Sequence, residues 1–315
     1  MEVVSMVWLE MLAGVLLLLA STVAFVEGVE VLAGRLRLTR FAAGALLAAV
    51  LTAIPETAIA VLSYFQQGYH AAQVGMGSVL AAPSITLLVG APVVAALWKS
   101  TSVDLGVAKN YVYFAVFMTL AAAISQLRLG PFINITALLF LLTYVYLARS
   151  IYVEEGEVVE VLGVSFLERL LRRRNTGLAA LQVGLAAAGL PLGADLFIDV
   201  VSTTVNPFAL ALVVSPFATC LEEVFVAFYW MMRNKADIAI SLLSGENLVQ
   251  STFVVGVGMA FTGWTLPSTA LEVVVVYVAA AVMLSLAIWL NRFRLGAAVL
   301  GLYPVYMLLA SGFLS

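Results

Sequence analysis

Two hexapeptides 167 residues apart decide how this chain is read: Leu51-Thr52-Ala53-Ile54-Pro55-Glu56 and Ala218-Thr219-Cys220-Leu221-Glu222-Glu223. The same offset lays Phe41 on Phe208, Ile54 on Leu221 and Ala60 on Ala227. Each hexapeptide ends in a glutamate in the middle of a long apolar run. An ionisable group at the centre of a bilayer costs about 2.5–3.5 kcal/mol even on lenient insertion scales. A glutamate that recurs at the same place in two such runs therefore calls for a function.

The runs themselves dominate the chain. Of 315 residues, 63% are hydrophobic and 10% charged, with a mean hydropathy of +1.10, against about 45–50% and about 25% in a soluble domain. Only a bilayer fits that surplus. A spanning helix takes about 17–25 apolar residues, and polar breaks cut the chain into ten runs: 8–33, 41–65, 71–98, 110–126, 130–149, 177–204, 207–232, 236–262, 268–290 and 295–314. They are too long and too continuously apolar for the alternating strands of a β-barrel. Glu2 and Glu10 occupy the start in place of a basic n-region, so the first run is expected to belong to the mature protein. Trp8, Trp98, Trp230 and Trp264 read as interfacial anchors.

Numbered in order, the odd loops carry 14 of the 15 basic residues, and the even loops carry Arg128 alone. Cytoplasmic loops are the basic ones, which places both termini outside a plasma membrane. The longest polar break, 151–176, is the cytoplasmic linker between a first five-helix repeat (1–150) and a second (177–315). Five is odd, so the second repeat enters from the opposite face. The expectation is an all-α integral membrane protein of ten transmembrane helices in two inverted repeats, with the substrate site between them. The linker reads as a solvated hinge, although 163–174 has the pattern of a short amphipathic surface helix.

Within the apolar runs lie Glu27, Glu30, Glu56, Asp195, Asp199, Glu222, Glu223, Glu246 and Glu272, with no Lys or Arg deep in any span. Buried carboxylates lacking basic partners are neutralised by a bound cation or by a proton, which suits neither an anion nor a lipid substrate. Net charge −3 leaves no basic surplus for nucleic acid. Thr52 and Thr219 each precede the glutamate by four residues, one helical turn. Pro55 removes an amide donor near Glu56, and Pro216 does so one turn before the second motif. Carboxylate, hydroxyl and freed carbonyl are hard oxygen ligands of the kind Ca2+ and Na+ take. Glu246 and Gln250 share a helix face, and Ser78 and Ser84 compete for the corresponding place in the first half. Glu222, about 100° from Glu223, is a second cation ligand or a protonated acid turned toward a neighbouring helix, and the pair Asp195 and Asp199 are secondary acids along an approach path, as Glu27 and Glu30 are on the first helix. Cys220 reads as a space-filling thiol.

At these residues the sequence resembles the calcium/cation antiporter superfamily, most closely the prokaryotic sodium/calcium exchangers, which repeat Gly-Thr-Ser-Leu-Pro-Glu on their second and seventh helices. Leu51–Glu56 and 218–223 keep the Thr and the final Glu; the motif serine is Ala53 in one half and Cys220 in the other, and the second proline is Glu222. The family's serine and Asn/Asp positions on helix eight fall on Glu246 and Gln250. The resemblance implies a monomeric Ca2+ exporter without cofactors, exchanging Ca2+ for Na+, with helices one and six moving against the rest. A proton-coupled exchange of Ca2+ or another divalent cation is the alternative, and a passive cation channel a further one. An enzyme is not expected: position 227 of a Glu-Glu-x-x-x-Arg protease motif is Ala, and no Gly-x-Gly-Asp occurs.

Overall fold

The structure is a computed structural model. It describes residues 16–17, 20–21, 23–25, 27–65, 69–100, 102–127, 129–153, 158–159, 163–202, 208, 211–213, 216 and 220–312, among which the side chains at 55, 58–59, 62–63, 69–71, 190–191, 193–202, 221–222, 268–269 and 312 lie outside the description. Helix dominates, because a backbone in hydrocarbon must satisfy its own amides and carbonyls. After helical residues 27–35 come α1 (Arg40–Thr52), α2 (Ile54–Phe65), α3 (Ala72–Ala96), α4 (Leu105–Leu127) and α5 (Gly130–Tyr152). A short α6 (Phe166–Leu171) precedes α7 (Thr176–Ser202), α8 (Leu221–Met232), α9 (Ala236–Thr262), α10 (Ser268–Trp289) and α11 (Phe293–Ser311).

Six of these (α3, α4, α5, α9, α10 and α11) contain stretches long and apolar enough to cross a membrane by themselves. Burial ranks them. The apolar window of α9 is 94% buried and that of α5 only 22%, so α9 forms the axis and α5 the rim. Leu138, Leu142, Val145 and Tyr146 of α5 stand exposed, an apolar face that suits lipid and not water.

The polar loops sort to two ends. At one end the Val159 amide donates to Leu38 O (2.9 Å), Arg40 pairs with Asp237 (3.3 Å) and Arg294 Nε donates to Trp98 O (2.7 Å). At the other, Trp264 Nε1 donates to Ala121 O (3.0 Å), Gln126 Nε2 to Leu266 O (3.4 Å), and Tyr64 stands edge-on to Phe261. The first set joins odd loops to one another, and the second joins even ones. Trp98, Trp230 and Trp264 are nevertheless fully buried. Each spends its ring on packing and two of them spend the indole N–H on a protein acceptor, which corrects the reading of these three as interfacial anchors; Trp8 lies outside the described residues.

Element boundaries recur at the offset read from the two hexapeptides. Helices α2 and α8 are both 12 residues long and begin 167 residues apart, at Ile54 and Leu221. Each follows a residue that steps out of the helix, Ala53 (φ −74°, ψ 2°) and Cys220 (φ −110°, ψ −10°). The next helices start at Tyr69 and Ala236, once more 167 apart. Both later widen into a π turn, Thr86–Gly90 and Gln250–Val254, and α1 contains a third at Ala43–Ala48. Such turns break the regular ladder and are frequent at functional sites.

The backbones of α1 and α9 touch. A Cβ on Gly245 would meet Ala45 O at 2.5 Å, and one on Gly44 would meet Ile238 O and Leu242 N at 2.7 Å each. Small residues are what permit helices to close this far in a membrane. Gly245→Val is expected to lower the melting temperature of the detergent-solubilised protein, at a cost of about 1–3 kcal/mol or more from overpacking. Gly184→Ala, where nothing lies within 4 Å, is expected to leave it unchanged.

The mid-chain linker contains α6, so 163–174 does form a short surface helix. Glu168, buried, accepts from the amides of Ser165 (2.9 Å) and Asn175 (2.6 Å) and from Arg35 (2.8 Å). Burial opposes its ionisation, but the Ser165 amide, Arg35 and the Asn175 amide outweigh it and hold the carboxyl at about 2, below its ordinary 4.5. A depressed folded-state value stabilises above the unfolded one. The melting difference between wild type and Glu168→Gln is therefore expected to be full above pH 4.5 and to shrink as pH falls toward 2.

Candidate functional site

Helix interruption builds the site. Ala53 lies between α1 and α2, and Cys220 is the residue before α8, so Glu56 falls in the first turn of α2 and Glu223 in the first turn of α8. Amides in a first turn have no helical acceptor and favour negative charge. Glu56, Glu223 and Cys220 are all fully buried. Carboxylate oxygens of the two glutamates and Cys220 Sγ lie within 4.8 Å of one another, and the thiol donates to Glu56 Oε1 at 3.1 Å. The thiol read from the sequence as space-filling is buried, and it also touches the acid.

The α1–α9 contact brings in the third carboxylate. Thr52 Oγ1, at the end of α1, donates to Glu246 Oε2 at 2.7 Å, with longer contacts of 3.2 and 3.3 Å to Ala48 O and Ala49 O. A threonine on an unbroken helix would sit beside Glu56, one turn on; the interruption at Ala53 and the closeness of α9 turn it to Glu246 instead. Glu246 is fully buried and within electrostatic reach of both Glu56 and Tyr144 of α5. Its Oε1 has no hydrogen-bond partner among the described residues. Gln250, one turn further, faces Glu246 with its side chain and accepts from Thr86 Oγ1 at 3.3 Å.

A polar layer supports these groups. Thr86 also reaches Asn247 Oδ1 (3.3 Å), and Asn110 Nδ2 donates to Ser244 Oγ (3.3 Å). Pro216 leaves the Leu212 carbonyl without its helical donor. That carbonyl accepts from Tyr306 OH at 2.6 Å, and Tyr277 OH donates to Leu80 O at 2.9 Å beside the break at Ala82. The carbonyl expected to serve as a ligand in the second half is thus taken by a tyrosine. Ser84 adjoins both tyrosines, which in turn adjoin Cys220. Ser78 is equally buried, but its hydroxyl has no partner among the described residues.

The remaining acids divide. Glu30 pairs with Lys235 (2.8 Å) and accepts from Trp230 Nε1 (2.6 Å), while Glu27 pairs with Arg169. Both face a cleft of about 270 Å3 at the odd-loop end, so these two belong to ion pairs and are not acids lacking a basic partner. Thr219 and the side chains of Glu222, Asp195 and Asp199 lie outside the described residues. Thr86, Asn247, Asn110, Tyr144, Tyr277 and Tyr306 carry no motif of their own; only a map of helix contacts reveals them.

The sequence has no Lys or Arg between Phe41 and Trp98, between Asn175 and Met232, or between Ala236 and Asn291, the stretches that bear all three carboxylates. An apolar multi-helix protein with interrupted helices meeting at buried acids is, as a class, a membrane transport protein for cations. The comparisons carry this further. The sequence matches the family described as sodium/calcium exchanger protein over residues 6–152 and 178–312, and the chain belongs to that family: it is a multi-pass membrane cation antiporter of the exchanger type, not an enzyme. The fold is similar to that of the sodium-calcium exchanger NCX_Mj soaked with 2.5 mM Na+ and 0.1 mM Ca2+, at TM-score 0.70 and 22% identity over 95% of this chain and 97% of that one. It is likewise similar to NCX_Mj with 2.5 mM Na+ and 0.1 mM Sr2+ (TM-score 0.71, 21% identity, 95% and 98%) and with zero Na+ and Ca2+ (0.69, 21%, 96% and 98%). No curated protein sequence matches.

Removing the Thr52 hydroxyl should expose the cost of Glu246. A hydrogen bond to a charged group is worth about 1.5–3 kcal/mol. Thr52→Val is expected to lose about that much in thermal melting and Thr52→Ser to lose little. Adding Glu246→Gln to Thr52→Val should recover part of the loss, and additive losses would place the two groups out of contact.

Proposed function

We propose that this protein exchanges Ca2+ for Na+ across the plasma membrane, holding either ion on Glu56, Glu223 and Glu246. The observation that carries the reading is the convergence of Glu56 and Glu223, with Glu246 in electrostatic reach, in stretches devoid of Lys and Arg. Three carboxylates over-neutralise one divalent cation, and Ca2+ takes about 6–8 oxygens. Thr52, Thr219, Gln250, Ser84 and Ser78 are the candidates to complete the shell. Ca2+ and Na+ compete for the same charges, so occupancy by one expels the other, which is the basis of obligatory exchange.

The chain works as a monomer of ten spanning helices in two inverted halves, 1–150 and 177–315, joined by the cytoplasmic linker 151–176, with both termini outside. Supporting this are the 167-residue recurrence of α2 and α8 and the separation of odd from even loops. Asp195, Asp199 and Glu222 serve as acids along the ion path. Alternating exposure of the site moves helices one and six of the ten against the rest.

In proteoliposomes, an outward Na+ gradient at fixed pH should drive Ca2+ uptake. Glu56→Gln and Glu223→Gln should each slow it by at least about 100-fold, the upper end of what losing even an outer-shell partner costs. Uptake unchanged in both variants would sink the site. The thiol and third carboxylate at the site favour a second reading, proton-coupled exchange: uptake driven by a pH gradient in the absence of Na+ would establish it, and flux without any counter-ion would indicate a channel.

A further inference from the structure

The exchange site contains a ligand type that a calcium shell does not use. Cys220 Sγ and one oxygen each from Glu56 and Glu223 lie within 4.8 Å of one another, and all three side chains are fully buried. Ca2+ takes hard oxygens, whereas thiolate sulfur selects softer ions. Around a Zn2+-sized ion, metal–sulfur bonds of about 2.3 Å and metal–oxygen bonds of about 2.0–2.2 Å keep any two ligands within about 4.5 Å. Tetrahedral ligands with those bonds stand about 3.5 Å apart; Cys220 Sγ and Glu56 Oε1 are already at 3.1 Å, and the remaining atoms close on such an ion with shifts of up to about 1 Å.

An independent atom points to the same place. Glu246 Oε1 is buried with no hydrogen-bond partner among the described residues, and its carboxylate is in electrostatic reach of Glu56. It is not one of the three atoms that lie within 4.8 Å of one another; what it adds beside them is a further buried acceptor within electrostatic reach of Glu56. The position of Cys220 is not incidental to its packing. It is the residue at which the second interrupted helix restarts, so the backbone itself aims the thiol across to Glu56.

We infer that Glu56, Cys220 and Glu223 form a site for thiophilic divalent cations, of the Zn2+ and Cd2+ class, which this exchanger binds more tightly than Ca2+. The inference rests on the proposed exchange site and names its substrate class. On binding, the S–H bond breaks, a sulfur–metal bond forms, and the proton leaves to water on whichever side is open. Substitution of a family serine by Cys220 thereby exchanges a hard ligand for a soft one.

The chain has one cysteine, so any cadmium–thiolate bond is a bond to Cys220. Purified protein in detergent is titrated with Cd2+, and the ultraviolet charge-transfer band of that bond is followed. The band should appear with wild type, be displaced only by Ca2+ in excess of about tenfold over Cd2+, and vanish in Cys220→Ser. In proteoliposomes the same variant, measured against its own Ca2+ uptake, should lose about tenfold or more in the potency of Cd2+ as inhibitor. Glu56→Gln, which retains the thiol, should weaken the band's Cd2+ affinity and guards against a misfolded serine variant. Absence of the band in a wild type that exchanges Ca2+ normally overturns the inference and leaves the exchanger intact. A band in protein that carries out no exchange supports the thiolate site and overturns the exchange reading.

Discussion

The constraint on which this structure depends is the burial of three carboxylates in stretches of sequence that carry no basic side chain. Glu56, Glu223 and Glu246 are fully enclosed, in stretches of sequence without Lys or Arg. A carboxylate in a low-dielectric interior is stable only if something neutralises it. Elsewhere in the molecule that role falls to the protein's own cations: Arg35 serves Glu168, Lys235 serves Glu30 and Arg169 serves Glu27. Paired acids at the odd-loop end thus stand apart from the acidic interior, whose stretches of chain hold no Lys or Arg.

Helix geometry is bent to that end. Interruptions at Ala53 and Cys220 put both motif glutamates in first turns, where exposed amides favour negative charge. The π turns in α1, α3 and α9 and the glycine contact between α1 and α9 bring Thr52 to Glu246. Tyrosines from α10 and α11 take up the carbonyls of Leu80, beside the break at Ala82, and of Leu212, one turn before Pro216. Irregular backbone at this depth is tolerable only when such partners satisfy it.

Much of this is visible in the sequence, and for physical reasons. The sorting of basic residues among loops reflects the cost of carrying charge through a bilayer, so it marks the ends of the bundle before any coordinates exist. The 167-residue offset located the two helix restarts because a repeated constraint leaves a repeated motif. Contacts between helices leave no such mark. That Thr52 meets Glu246 and not Glu56, that Cys220 touches Glu56, and that Glu27 finds Arg169 some 142 residues away follow from packing. The indole rings escape a reading from sequence for the same reason: a tryptophan near a span end has the same sequence signature whether it faces lipid or, as at Trp98, Trp230 and Trp264, the interior.

The central claim is that one acidic site serves both ions in turn. Equilibrium binding of Ca2+ to the purified protein, measured across a series of Na+ concentrations, tests it most directly. The account predicts that Na+ raises the apparent Kd for Ca2+ progressively while the number of Ca2+ bound at saturation stays constant. A Ca2+ capacity that falls with Na+ at unchanged Kd, or Ca2+ binding indifferent to Na+, would contradict it.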